Sequence, residues 1–361
     1  MNDTPEPFLG GLAIGRLFYR DIIEPVIQKV APDIKYAAAL IGPGSEVLGF
    51  DTALSADHDW KPRVSIFLGD DDFSSHGKLV AKAIAESLPE TYRGFPIAGF
   101  PSDVSHIGDV RYQTVFSVRQ FWQMYIGFDI NQKINTQDWL TFPEHMLLGL
   151  TSGEIYRDDT GELTRTRERF AYYPNDIRLY MAAAEWSHIA QEEAFLGRTG
   201  DVGDEIGSRL IAGRLIRHIM RLCFILEQKY CPYTKWFGSA FSRLACAEQI
   251  SPLIEAVLDQ KHWTERELCM SALYRQLIAV FQKYHLTKKI SDDTVSSYYT
   301  RPYQVSHAGR FAAALLAEIS SSEIKKLTPN IGSVNQFIDC HDILSGPNRT
   351  KHLIPIYQNK E

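Results

Sequence analysis

From about Pro174 onward the chain repeats one pattern. Ile177 to Leu196, Ile206 to Tyr230, Trp236 to Cys246, Ile250 to Leu258 and Glu265 to Tyr284 each carry apolar residues at helical spacing, with few strand-like runs between them. Helices with one apolar stripe are stable when those stripes face each other, so this half specifies a helical domain. The residues before it read differently. Leu12, Ile14, Leu17, Phe18, Ile22 and Ile23 mark an amphipathic opening helix ending near Ala31-Pro32. Tyr36 to Ile41 is a short apolar run between Pro32 and Gly42-Pro43-Gly44, which predicts a buried strand, and Val64 to Leu68 predicts a second. A helix over His76 to Leu88, a Gly/Pro-rich loop around Arg93 to Ser102, a strand near Val110 to Val115 and a helix over Phe121 to Ile126 follow. The expected class is α+β: a small mixed-sheet head over residues 1–170 and an all-helical domain over residues 171–361, joined between Leu163 and Asp176. The turn-rich Asp158-Asp159-Thr160-Gly161 falls just before that junction, or forms a hairpin at the sheet edge.

A length of 361 residues suits two domains, and 45% apolar with 23% charged residues suits a folded interior. No segment approaches the roughly 20 apolar residues needed to cross a bilayer. The start, MNDTPEPFLGG, lacks the basic and apolar regions of a signal peptide, so a cytoplasmic location is expected. The five cysteines never adopt paired C-x-x-C spacing, which predicts reduced structural thiols. A net charge of −6 argues against a protein that coats nucleic acid over its whole surface, although a local basic groove remains open.

The chemistry concentrates between Ile41 and Trp60. A strand ends at Gly42, Gly44-Ser45 follows, and a short helix is expected to begin at Glu46-Val47-Leu48. Free backbone N–H groups at a helix start, with the Ser45 hydroxyl beside them, suit a triphosphate, and a glycine at 44 lets phosphates approach the backbone. Eleven residues separate Ser45 from Asp57, enough for the chain to return and lay a second strand beside the first. On an extended backbone Asp57 and Asp59 share one face and repel each other unless a cation lies between them. Magnesium suits two carboxylates that leave positions for water and phosphate oxygens. Asp-x-Asp is also common among solvated surface carboxylates; the strand, turn, spacing and following apolar strand together favour a metal site.

Gly44-Ser45 followed by Asp57-x-Asp59 resembles the signature of the DNA polymerase beta-like nucleotidyltransferases, which include the aminoglycoside nucleotidyltransferases. Gly44 to Thr52 and Ser55 to Trp60 more closely resemble a domain-of-unknown-function family placed in that superfamily, as do Asp138 to Pro143, Gly203 to Ser208 and Tyr230 to Gly238. The resemblance implies magnesium-dependent transfer of a nucleoside monophosphate from a nucleoside triphosphate, ATP foremost, to a hydroxyl of a small-molecule acceptor. RNA or protein acceptors, or a nucleotide sensor without turnover, are the alternatives. Members of the superfamily place a third carboxylate on a neighbouring strand. Val110 to Val115 contains no acid, so Asp109 just before it and Asp158 after Glu154-Ile-Tyr-Arg are the candidates.

Other residues carry two readings each. Lys235, with Tyr233 and Trp236, stands where one long helix breaks and another starts; it either reaches a phosphate beside a stacking ring or belongs to a helix-start packing motif. Asp204 and Glu205 cap a helix or face an acceptor, and Glu192 and Glu193 invite the same question. His58 points away from its flanking aspartates and reads as structural. Asp70-Asp71-Asp72 reads as a solvated turn. Arg165, Arg167 and Arg169, before Tyr172-Tyr173, either touch a nucleic-acid backbone or are solvated or ion-paired. No other histidines show H-x-x-x-H or H-E-x-x-H spacing.

Overall fold

The computed structural model describes residues 8–54, 61–97, 114–288, 290–291, 295–346 and 348–358. The described chain is of the α+β class, and it divides into two compact units: residues up to 133 with 143–171, and residues 134–142 with those from 172 onward. Among the described residues no helix is long and apolar enough to cross a membrane.

The first unit opens with α1 (Gly11–Phe18), which runs through a π-helical turn (Tyr19–Ile23) into α2 (Glu24–Val30). Strands β1 (Tyr36–Leu40) and β2 (Ser65–Leu68) follow the two apolar runs, and α3 (Asp70–Ser87) comes directly after. Asp70, Asp71 and Asp72 are therefore the first turn of α3, not a separate turn, and their charges face the positive end of its dipole. A two-residue hairpin, β3 (Thr91–Tyr92) with β4 (Phe95–Pro96), precedes β5 (Val115–Ser117) and α4 (Val118–Ile126). The third main strand meets the expected Val110 to Val115 run at Val115, and residues 110–113 of that run lie outside the described residues. Helix α5 (Thr136–Thr141) belongs to the second unit despite its position in the chain, and α6 (Glu144–Thr151), β6 (Glu154–Asp158) and α7 (Glu162–Glu168) return to the first.

The main sheet has the order β5-β2-β1-β6. β1 is antiparallel to both neighbours, with Ala39 opposite Ser65 and Leu40 opposite Glu154, whereas β2 and β5 run parallel. Every residue of β1 is buried, because both sheet faces are covered. Tyr36 and Ala38 join Ile66, Leu68 and Val115 under Ile14, Phe18, Ile23 and Ile27 of the opening helices and Val80 and Ile84 of α3. Burying each such aliphatic side chain contributes on the order of 2 kcal/mol. On the other face Phe67, Phe116 and Phe121 form a ring cluster with centroids 5.1 to 5.9 Å apart. β6 ends at Asp158 and turns into α7 through Gly161 (φ 69°) rather than forming a hairpin.

Among the described residues the regular structure of the second unit is helical apart from a two-residue pairing of β7 (Ser296–Ser297) with β8 (Gln304–Val305) and one isolated bridge between Leu327 and Gln358. Its long helices are α8 (Asn175–Glu192), α10 (Glu205–Leu226) and α13 (Trp263–Lys283), with α9 (Phe195–Asp201), α11 (Phe237–Phe241), α12 (Ala247–Leu258) and α14 (Gly309–Glu318) around them. α8 is buried on nearly all sides, and Trp186 stacks on Phe311 at 4.4 Å with Phe281 edge-on at 5.6 Å. The helix expected from Trp236 to Cys246 is cut short at Phe241. Glu227 accepts the N–H groups of Ala245 and Cys246, at 2.8 Å each, and so starts α12 instead of letting α11 continue. Among the described residues none of the five cysteines is in a disulfide, and three of them are buried.

Candidate functional site

β1 delivers the chain to the Gly44-Ser45 turn at the end of the sheet where β2 begins. Gly42 (φ 96°) donates its N–H to the Gly149 carbonyl of α6 at 2.9 Å, and a Cβ at Gly149 would strike that Gly42 peptide. No helix starts at Glu46. The segment is a single turn closed by Phe50 N–H on the Ser45 carbonyl (2.9 Å) and Gly49 N–H on the Glu46 carbonyl (3.2 Å). Gly49 (φ 67°) bends it left-handed, and Asp51 is then drawn to the opening helix, where its carboxylate accepts the Gly11 N–H at 2.6 Å. The expectation of a helix N-terminus as phosphate cradle is therefore corrected to a tight turn.

The turn encloses an ion pair that sequence reading missed. Glu46 and Arg63 are 5% and 9% exposed, and the guanidinium donates to Glu46 Oε1 from Nε at 2.9 Å and from a terminal nitrogen at 2.7 Å. Arg63 also donates to the Pro43 carbonyl, so the residue leading into β2 is fastened to the turn. The Glu46 carboxylate and Arg63 guanidinium fill the space into which a side chain at Gly44 (φ 133°) would project. Glycine at 44 is thus required for packing on that side. Arg63 offsets the Glu46 charge. Among the described residues, the N–H groups of Gly44 and Ser45 and the Ser45 hydroxyl meet no acceptor.

Asp57 and Asp59, with His58 between them, and Asp109 lie outside the described residues. Asp158 sits opposite Ala37 on β6, whereas Glu154 sits opposite Leu40. At about 3.3 Å per residue the level of Asp158 is about 10 Å along β1 from that of Leu40, away from the Gly-Ser end. Its Oδ2 accepts the Thr164 N–H (2.9 Å) and hydroxyl (2.7 Å), holding the first turns of α7. Glu154, at the Gly-Ser end, pairs with Arg16. β5 contains no acid. A separate hollow of about 330 Å³ in this unit is lined by Thr151, Ile155, Thr164, Arg167, Glu168 and Ala171.

In the second unit Tyr233, Lys235 and Trp236 form one local group around a 3-10 turn (Thr234–Trp236). The indole N–H of Trp236 donates to the Tyr233 hydroxyl at 2.8 Å, and the exposed Lys235 ammonium lies 4.8 Å from the centre of the Trp236 ring. Tyr230, just before them, is buried among Tyr172 and Tyr173 at ring distances of 5.0 and 5.1 Å.

The remaining candidates resolve into structural roles. Asp204 accepts the Gly207 N–H at 2.7 Å and caps α10, while Glu205 accepts the Trp263 N–H at 2.9 Å and pairs with the buried Arg266 at 3.1 Å. Glu193 accepts Ser306 and Ala308 N–H groups and the Ser306 hydroxyl at the start of α14; burial raises its pKa above the ordinary carboxylate range against those bonds. Glu192 pairs with Arg214 at 2.7 Å. Arg167 donates to the carbonyls of Leu150, Thr151 and Ser152 at the end of α6, Arg169 to those of Ile130 and Gln132, and Arg165 to that of Thr160. These arginines close chain ends and loops, a role outside both readings of the sequence.

Residues 139–237 match a family described as a domain of unknown function, DUF4037. That match bears out the resemblance to such a family over Trp139 to Phe237, and it takes in Asp158, Tyr233 and Lys235 but not Gly44, Ser45, Asp57 or Asp59. No curated protein and no solved structure matches the chain.

Proposed function

We propose that the chain is a magnesium-dependent nucleotidyltransferase that moves a nucleoside monophosphate from a nucleoside triphosphate, ATP foremost, to a hydroxyl of a small-molecule acceptor in the cytoplasm. The observation that carries this reading is the pairing of the Gly44-Ser45 turn with the entry to β2. Arg63 ties the two together, and the Asp57-x-Asp59 motif lies in the segment that connects them. The N–H groups of Gly44 and Ser45, which meet no acceptor among the described residues, are donors suited to phosphate oxygens. Asp57 and Asp59 would hold the magnesium ion, which offsets triphosphate charge when bound. Asp158 is the third carboxylate that the resemblance suggests; its Oδ2 accepts from Thr164, and it stands at the other end of β1. Tyr233 and Lys235 would add a stacking face and a charge for the departing pyrophosphate.

The test is pyrophosphate release from each of the four ribonucleoside triphosphates with magnesium, screened against pools of hydroxylated metabolites. Asp57→Asn and Asp59→Asn should each abolish release while the protein stays folded, and full activity in the double variant would refute the site. The absence of an acid from β5 favours one second reading, a sensor that binds nucleotide without turnover. It predicts triphosphate binding by calorimetry with no pyrophosphate from any pool.

A further inference from the structure

Helices α8 and α10 bring together three side chains that no part of the transfer chemistry uses. Glu185 and His188 are three residues apart on α8 and so share a face, and His218 meets them from α10. Glu185 is fully buried, and the side chains of His188 and His218 are only 16% and 12% exposed. His218 Nδ1 lies 2.7 Å from Glu185 Oε2, and His188 Nδ1 lies 4.0 Å from the same oxygen. The two imidazoles are 4.9 Å apart between ring centres. One ligand atom from each of the three residues falls within 4.8 Å of the others.

Two details separate this group from an ordinary buried ion pair. The other carboxylate oxygen, Oε1, is held by Arg221 Nε at 3.1 Å and by the Gln336 amide at 2.9 Å, which fixes the carboxylate plane and leaves Oε2 turned to the histidines. Outer hydrogen bonds of this kind orient a metal-binding carboxylate. Among the described residues His188 Nδ1, buried and beside that oxygen, has no hydrogen-bond partner. A buried ring nitrogen without a partner costs about 1–3 kcal/mol, so its position calls for something that accepts its lone pair.

We infer that Glu185, His188 and His218 form a binding site for a transition-metal dication, zinc by its donor set. Two imidazole nitrogens and one carboxylate oxygen at about 2.0–2.2 Å from one ion would lie roughly 3–3.5 Å apart, which the present positions reach by small rotations of the rings. The ion takes the place of the proton between His218 and Glu185, and a neutral His218 binds it through Nδ1 with its own N–H on Nε2. Calcium and magnesium are poor candidates, since the set supplies a single carboxylate oxygen at the centre. Three protein ligands leave a fourth position for water. The inference stands apart from nucleotidyl transfer, and its failure would leave that reading untouched.

The experiment titrates chelator-treated full-length protein with Zn2+, and separately with Co2+ as a spectroscopic probe. One zinc per chain should bind, with visible cobalt bands and no thiolate charge-transfer absorption. His188→Leu should weaken zinc binding by at least about tenfold, whereas the Asp57→Asn/Asp59→Asn double variant should keep it. Equal affinity in His188→Leu, a thiolate spectrum, or no zinc retained by the folded wild type would each overturn the site. If His188→Leu does not fold, diethyl pyrocarbonate labelling of the wild type decides: zinc should protect His188 and His218, and unchanged labelling refutes the inference.

Discussion

Replacing Gly44 by alanine should damage the fold of the first unit before it damages ligand binding. Gly44 has φ 133°, a conformation that costs an L-residue about 1–3 kcal/mol. The added methyl would also stand inside the Glu46–Arg63 pair, against both carboxylate oxygens and a guanidinium nitrogen. Those groups are 5% and 9% exposed, so pushing them apart leaves charge in a poorly solvated place, where breaking a pair costs about 3–5 kcal/mol. Partial relaxation will recover some of this, and a total loss of about 3–5 kcal/mol is expected. Because the chain has two compact units, a single melting curve mixes them, and hydrogen–deuterium exchange over residues 36–50 is the suitable assay. Glu46→Ala should remove part of the clash, so Gly44→Ala should cost at least about 1 kcal/mol less in that background. A loss below about 1 kcal/mol in Gly44→Ala alone, or strict additivity with Glu46→Ala, would refute the packing argument.

Burial raises the Glu267 carboxyl from 4.5 to about 7 against one backbone hydrogen bond from Gln304. A raised folded pKa contributes stability that is full below about 4.5 and lost as pH rises through about 7. Glu267→Gln should therefore stabilise the second unit at pH ~8 by about 1–2 kcal/mol, after discounting for its partial exposure, and by much less at pH ~5; an equal effect at both, by urea denaturation, would contradict this. Arg167→Ala removes donors from three carbonyls at the end of α6 and should destabilise the first unit by about 2 kcal/mol, read as faster exchange over residues 149–153. Lys235→Ala should change stability by no more than about 1 kcal/mol, the worth of an exposed cation–ring contact, while lowering pyrophosphate release at least about tenfold under the proposed function. Unchanged turnover would remove Lys235 from the site.

The periodicities of the chain determined its elements. Tyr36 to Leu40 is a strand because an apolar run that short, closed by Pro32 and Gly42, has no room for a helix, and the segments after Pro174 are helices because their apolar residues recur every three to four positions. These are local properties, fixed by neighbours along the chain. The end of the strand at Gly42-Pro43-Gly44 was legible for the same reason, but the turn that follows and the ion pair it encloses were not. Glu46 and Arg63 are 17 residues apart, and only the register that sets Ala39 against Ser65 brings the arginine back over the turn. Asp158 looked equivalent to any acid beside a strand until the pairing put it opposite Ala37 and put Glu154 at the Gly-Ser end. The arginines of residues 165–169 looked like surface charge, since nothing in sequence shows that their partners are backbone carbonyls. Glu185-x-x-His188 is a spacing that sequence could have offered. His218, 33 residues from Glu185, joins it only because α8 and α10 pack with those faces together. Side-chain partners of this kind depend on which faces meet, and that is decided when the apolar stripes of distant segments exclude water from one another.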